Sequence, residues 1–425
     1  MQVRFRWVEA ALFVAAFVLV HAFLWWANTS LPNLPLGDVT RTYREWIEAG
    51  HRDHYWVGVD SDWVYPVFAI VPMAAAALGG AASIGTGWLL LMTVLDAAAV
   101  AVLWRFRALG VRVVWWWLLF LLALGPIALG RIDAVATALA LVGVAFVATR
   151  PAVASAVFTV AAWTKVWPAA LVGVLLLRRG HRRGVLTGAL VVTVLIVLVD
   201  VLYGGAAHLL SFVAQQSGRA LQIEAPLATP FMWAAAAGVP GAAVYYDTGI
   251  LTFEVSGAGT HAAAALSTPL MAVTVLAGIV LALVAVRRGA RRAEVAPLLA
   301  LVLVAALIAT NKVGSPQYVG WFAVPVVWGL VAGRASARRF VPVAVALLVT
   351  AVLTQVFYPT FYDQVLLVRP WVLVVLTIRN LLEVGVLVWG LVLLARSPSG
   401  QSARTGALPS DGGVPVGVER GRMDA

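Results

Sequence analysis

The feature that most constrains this chain is a succession of apolar runs, each near the length of a bilayer crossing, separated by short segments that carry most of the charge. A helix needs roughly 20 mostly apolar residues to cross the hydrocarbon core. The first such run, Trp7 to Ala27, follows Arg4 and Arg6. It is longer than a signal-peptide core and no small-residue cleavage site follows it at the right distance, so it reads as a signal anchor with a cytoplasmic amino terminus. Further runs predict spans near 86–104, 113–130, 132–149, 152–165, 166–177, 184–203, 262–286, 295–310, 317–333, 340–357 and 371–395. The expected fold class is an all-α polytopic integral membrane protein with about 12 transmembrane helices. Composition agrees: 62% of the residues are hydrophobic and 12% charged, against about half and a quarter in a soluble domain. The chain has no cysteine, which excludes disulfides, thiolate metal sites, iron–sulfur clusters and a cysteine nucleophile.

The net charge of +11 is explained by topology. In this span arrangement 21 of the 30 basic residues fall on the cytoplasmic side, among them Arg178, Arg179, Arg182, Arg183, Arg287, Arg288, Arg291 and Arg292. That is the bias expected of cytoplasmic loops, and no nucleic-acid partner is needed to account for it. Residues 64–82 and 226–244 are apolar, yet as crossings they would reverse this bias. Both are expected to be helices lying on or dipping into the outer leaflet. The organisation that follows is one transmembrane unit over 1–395, with large external loops at 28–82 and 204–261, and a disordered cytoplasmic tail over 396–425.

Acidic residues gather outside. Six of the 19 Asp and Glu residues (Asp38, Glu45, Glu48, Asp53, Asp60 and Asp62) lie in the first external loop, so an outward-facing site is expected. Tyr43, Trp46 and Ile47 fall at helical spacing and predict a short amphipathic helix over Val39 to Gly50. Asp38 stands just before it, either as its N-cap or as a catalytic carboxylate. Asp60 and Asp62 form a carboxylate pair without further ligands at metal-site spacing, and His51 and His54 are the only closely spaced histidines outside the spans. The chain uses arginine 28 times and lysine twice. Lys165 and Lys312 share one setting, an outer span end beside a proline, and a lysine there either binds phosphate or reaches the interface. Arg131 and Arg219 are further outer cations with Asp133 and Glu224 close by in sequence, as ligands or as internal ion pairs. Arg379 and Glu383 can pair one turn apart. Asp96 and Asp200 sit inside spans, as relay groups or as helix-to-helix hydrogen-bond partners. Trp25, Trp26, Trp56, Trp63, Trp163, Trp167 and Trp321 are expected in the outer aromatic belt.

The order of these elements resembles glycosyltransferase family 87, of the GT-C superfamily. The resembling pieces are a signal-anchor span, Gly37-Asp38 followed by Tyr43 and Trp46, and an external Tyr65-Pro66. They continue through LGRIDAVATALALVG, AAWTKVWPAAL, SGRALQIEAP and NKVGSPQYVGW. The last segment is also similar to one in eukaryotic mannosyltransferases that build the GPI anchor. Val67 stands where the family usually has a second proline, and Arg131 where glutamine is common. The resemblance implies a transferase moving one sugar, usually mannose, from polyprenyl phosphate to a glycolipid or lipoglycan acceptor outside the cytoplasmic membrane. Its implied partners are that donor, that acceptor and membrane lipid, with no nucleic acid.

The chemistry expected is an inverting displacement. Asp38 would be the base, and Lys165, Lys312 and Arg131 would bind the donor phosphate. Tyr43, Tyr65, Asp133, Arg219, Glu224, Gln317 and Tyr318 would bind substrate. Neither metal nor cofactor is expected. The two segments at 64–82 and 226–244 would frame a lateral opening for the polyprenyl chain. A transporter or flippase of lipid-linked sugar, and a ligase moving whole oligosaccharides, are the alternatives.

Overall fold

In hydrocarbon every backbone polar group must be satisfied within its own segment, so the apolar runs have to be helices. The computed structural model describes residues 2–215 and 218–397. The helices are α1 (Gln2–Ser30), α2 (Arg44–Asp53), α3 (Ile70–Ala76), α4 (Ile84–Trp104), α5 (Arg107–Leu124), α6 (Ile132–Phe146), α7 (Pro151–Thr164), α8 (Ala169–Leu175) and α9 (Arg182–Leu202). They continue with α10 (Ser211–Ala214), α11 (Thr229–Ala236), α12 (Thr260–Arg287), α13 (Arg292–Ala309), α14 (Ala323–Val331), α15 (Arg334–Gln355), α16 (Tyr362–Leu366) and α17 (Pro370–Ala395). Strands β1 (Ala243–Asp247) and β2 (Thr252–Ser256) form an antiparallel hairpin between α11 and α12.

Every expected span falls on a helix. Eight of them (α1, α4, α5, α9, α12, α13, α15 and α17) are long and apolar enough to cross a membrane. The segments of α6, α7, α8 and α14 are shorter; α6, at 15 residues, rises about 22 Å. α13 is the central helix, buried along nearly its whole length, whereas α9 and α12 turn leucines and valines such as Leu190, Leu195, Val273 and Leu276 outward. Close packing relies on small residues, as it does between helices in lipid: a Cβ at Gly188 on α9 would strike the carbonyl of Ala152 on α7. Beside it Ser155 Oγ donates to the carbonyl of Val185 at 2.7 Å.

The segments between the spans depart from expectation in three places. The amphipathic helix forms as read, but begins with a π-helical stretch, Asp38–Tyr43. Residue 37 already has helical angles and no side chain caps the start, so Asp38 is not an N-cap. The segment 226–244 is helical only from Pro226 to Ala236. Gly238, Pro240 and Gly241 then end the helix, and the β-branched and aromatic residues of AVYYD and TFEVS pair instead. The turn between them is held by Asp247 Oδ1, which accepts the backbone N–H of Gly249 at 2.7 Å. Segment 64–82 holds only α3 and two short 3₁₀ turns. The expected tail lies, from residue 398 onward, outside the described residues.

Candidate functional site

Because successive helices alternate in direction, the residues singled out in sequence meet at one end of the bundle. That end gathers the loop after α1, the starts of α6 and α14, the ends of α7, α13 and α15, and the segment before α11.

Arg131 is its centre. The residue is extended at the start of α6 and 9% exposed, so its donors have to be placed on protein acceptors. Nε lies 3.0 Å from Asp38 Oδ2. Nη1 donates to the carbonyls of Pro35 at 2.6 Å and Gly130 at 2.9 Å, and Nη2 donates to the Tyr358 hydroxyl at 2.7 Å. The fixed fork of a guanidinium suits such a multiple clamp. Asp38 keeps 42% of its side chain exposed, so this carboxylate is anchored yet open to a ligand.

Asp133, two residues on, is in the first turn of α6, where the helix dipole favours a carboxylate. It pairs with Lys165 rather than with Arg131: Nζ is 3.6 Å from Oδ2, while Trp321 Nε1 donates to Oδ1 at 2.9 Å. Lys165 ends α7 in an extended conformation, and its ammonium lies 4.7 Å from the centre of the Tyr65 ring and 5.7 Å from that of Tyr318, within cation–π range. The Tyr43 hydroxyl accepts the N–H of Ile132 at 3.2 Å. Its ring stands in an aromatic wall with Trp46, Trp63, Tyr65 and Trp88. Burial, reinforced by the Asp38 and Asp133 carboxylates, holds the Tyr65 phenol well above its ordinary range, so it is a neutral donor.

A second group lies beside the first. Glu224 is buried and accepts the Tyr362 hydroxyl at 2.6 Å; burial pushes its carboxyl up to about 7. Tyr362 packs edge-on against Tyr358 at 5.1 Å, which links Glu224 to the Arg131 clamp. Leu221 and Ile223 bond the β2 backbone, and the Gln222 N–H donates to the carbonyl of Lys312 at 3.0 Å. Lys312 is within electrostatic reach of Glu254 and Arg219, and burial lowers the pKa of its ammonium. Arg219 also bears on Tyr318, while its Nε donates to the carbonyl of Gln215 at 3.4 Å, so it does not pair with Glu224 as sequence proximity allowed. Gln317 accepts the Ser315 hydroxyl at 2.7 Å and lines a small cavity with Asp133 and Thr137.

All eleven sequence-derived candidates therefore sit at this end, in two linked groups. Asp38, Arg131, Tyr43, Tyr65, Asp133, Lys165 and Tyr318 form one; Arg219, Glu224 and Lys312 form the other, with Gln317 below Asp133. Sequence reasoning missed Tyr358, Tyr362 and Glu254, the last holding Ala220 N–H at 3.0 Å and the Tyr245 hydroxyl at 2.8 Å. Three expected belt tryptophans are internal: Trp63, Trp167 and Trp321 are 3–5% exposed, and Trp167 stacks on Trp321. Asp60 and Asp62 bond separate partners, the N–H of Trp56 and the ring of His208. Asp96 lies 3.3 Å from His21 Nε2, away from Asp200. Arg379 and Glu383 pair at 3.1 Å as expected, and Arg379 also donates to the Glu224 carbonyl at 3.1 Å.

A half-exposed carboxylate fixed beside several cations and an aromatic wall suits proton removal next to a departing anion. The sequence model of glycosyltransferase family 87 matches residues 63–316, which is 254 of the 425 residues. No curated protein and no solved structure matches the chain. With that match over more than half its length, carried on a many-helix apolar bundle, the chain belongs to glycosyltransferase family 87 and is a multi-pass membrane glycosyltransferase.

Proposed function

We propose that the protein moves a single mannosyl residue from polyprenyl phosphate to a lipid-linked glycan on the extracytoplasmic face of the cytoplasmic membrane, with inversion at the anomeric carbon. The observation that carries this reading is Asp38: an anchored carboxylate, still 42% exposed, 3.0 Å from a buried guanidinium. In the displacement the acceptor oxygen bonds to the anomeric carbon as the bond from that carbon to the phosphate oxygen breaks. The acceptor proton passes to Asp38, and polyprenyl phosphate departs with its charge opposed by Arg131, Lys165 and Lys312. A positioned base is worth about 10²–10⁴-fold, and cations aimed at developing charge usually contribute most. The donor phosphate would compete with Asp38 for the Nε side of Arg131, freeing the carboxylate as the donor seats. Tyr65 and Tyr318, whose rings flank Lys165, would pack against the sugar, and Tyr43, Asp133, Arg219, Glu224 and Gln317 would complete the substrate contacts.

The test is sugar transfer by purified protein in lipid, offered polyprenyl-phosphate mannose or a nucleotide mannose with an extracted membrane glycolipid. The expected result is a product longer by one sugar, from the polyprenyl donor alone, with at least a 100-fold lower kcat for Asp38→Asn. Unimpaired turnover by that variant would remove Asp38 as the base, and transfer from the nucleotide sugar alone would overturn the donor.

A further inference from the structure

The opposite end of the bundle holds a feature that the transfer reaction does not use. α6 and α13 run between the two ends, and α13, at 18 residues, separates them by about 27 Å. At the far end, the last turns of α6 and α14, the first turn of α13 and the segment after α8 line a half-open pocket of about 470 Å³. Its walls are apolar, with Val144, Val147, Leu175, Ala296 and Trp328 buried in them. Its polar lining is basic: Arg178, His181 and Arg292, with no carboxylate among the described residues that line it. Arg178 is fixed there, its Nη1 donating to the carbonyl of Val147 at 2.6 Å, while His181 is exposed and Arg292 half-buried.

Charge bias between the two sides of a membrane accounts for arginines at this end. It does not account for an apolar hollow beneath them. A pocket of about 470 Å³ is within the 300–1,000 Å³ typical of ligand sites. An apolar chamber with a cationic mouth at the end of the spans is complementary to an amphiphile with an anionic head. We propose that this cavity binds one anionic phospholipid, with its headgroup phosphate on Arg178, His181 and Arg292 and part of an acyl chain against Val144, Val147 and Ala296. The site is separate from the one at Asp38 and is independent of which sugar is transferred.

The test uses full-length protein in nanodiscs of phosphatidylcholine with or without phosphatidylglycerol. Retained lipid is counted by native mass spectrometry after extraction into detergent. The wild type is expected to keep one phosphatidylglycerol per chain and no comparable phosphatidylcholine. Retention should fall at least tenfold in the double variant Arg178→Gln, Arg292→Gln. It should fall equally in Ala296→Phe, which fills the cavity and leaves every charge in place. Val331→Phe, on a different wall, repeats the filling test should Ala296→Phe fail to fold, and gel filtration with sugar transfer reports folding. Full retention by a folded cavity-filled variant would mean that the arginines gather lipid on the surface alone, and would overturn the proposal. So would absence of bound phosphatidylglycerol in the wild type. Retention that appears only after deletion of residues 398–425 would assign the cavity to the tail and overturn the proposal as well.

Discussion

Arg131 shows how one side chain can organise a site. Its guanidinium ties the loop after α1, through Pro35 and Asp38, to the segment after α15, through Tyr358. A lysine would keep the charge but cannot reach these acceptors together. Arg131→Lys is therefore expected to lower kcat at least tenfold, more than it changes donor KM, in steady-state transfer assays. Glu224 gives a pH prediction. Its carboxyl, ordinarily near 4.5, is pushed up to about 7 by burial, so between those values the fold holds a proton that the unfolded chain has released. Stability then declines as pH rises through this window and is level above it. The decline is about 3 kcal/mol at one pKa unit per 1.36 kcal/mol. Thermal midpoints of the wild type should fall relative to Glu224→Gln as pH is raised from about 5 to 7; parallel curves would refute the assignment. The charged residues of the candidate site drew attention in sequence because charge at a span end is costly and needs a reason. Their pairing was not: Arg131 chooses Asp38, 93 positions away in sequence, over neighbouring Asp133, because the loop after α1 folds over the start of α6. Tyr358 and Tyr362 gave no signal, since tyrosine at a span end is what a membrane interface recruits by default.

At the level of elements, the long segment between α9 and α12 is knitted backbone to backbone. Residues 221–223 bond β2 on one side and the carbonyl of Lys312 on the other, and Gly314 lies so close to Glu224 and Ala225 that a Cβ there would strike their backbone. The obstruction is main chain, which cannot swing away. Gly314→Ala should therefore push apart the segments carrying Lys312 and Glu224, with donor KM raised several-fold or more and the protein still recovered in the membrane. Unchanged kinetics would show that the two segments have slack. Spans were readable from length and hydropathy alone, and each expected span found its helix. The hairpin was not, because a short apolar run does not distinguish a buried strand from a helix. Only Gly238, Pro240 and Gly241 marked the change. Tryptophan was misread for a related reason: the same apolar ring with one N–H serves a lipid interface or, as in Trp321 bonded to Asp133, an internal wall.

For the whole molecule, the candidate site residues gather at one end and the paired arginine clusters at the other, which gives a sidedness that can be measured directly. The natural absence of cysteine makes single-cysteine labelling clean. Leu251→Cys at the exposed hairpin turn should react with a membrane-impermeant maleimide in intact cells, and Arg288→Cys after α12 only once the membrane is opened. The reverse pattern would invert the orientation read from the arginines. The last span also closes the structure: Arg379 on α17 holds the Glu224 carbonyl, and Asn380 beside it donates to Thr229 at 2.8 Å. Tyr358 and Tyr362 come only just before that span. During synthesis, then, a nascent chain can insert helix after helix while its long loops stay unfastened, and the contacts of Arg379 and Asn380 form only when α17 has been made. Contacts made by the latest helix thus close onto segments laid down much earlier, so a premature stop near residue 370 is expected to yield an inserted but inert polypeptide, which membrane fractionation with a transfer assay would check.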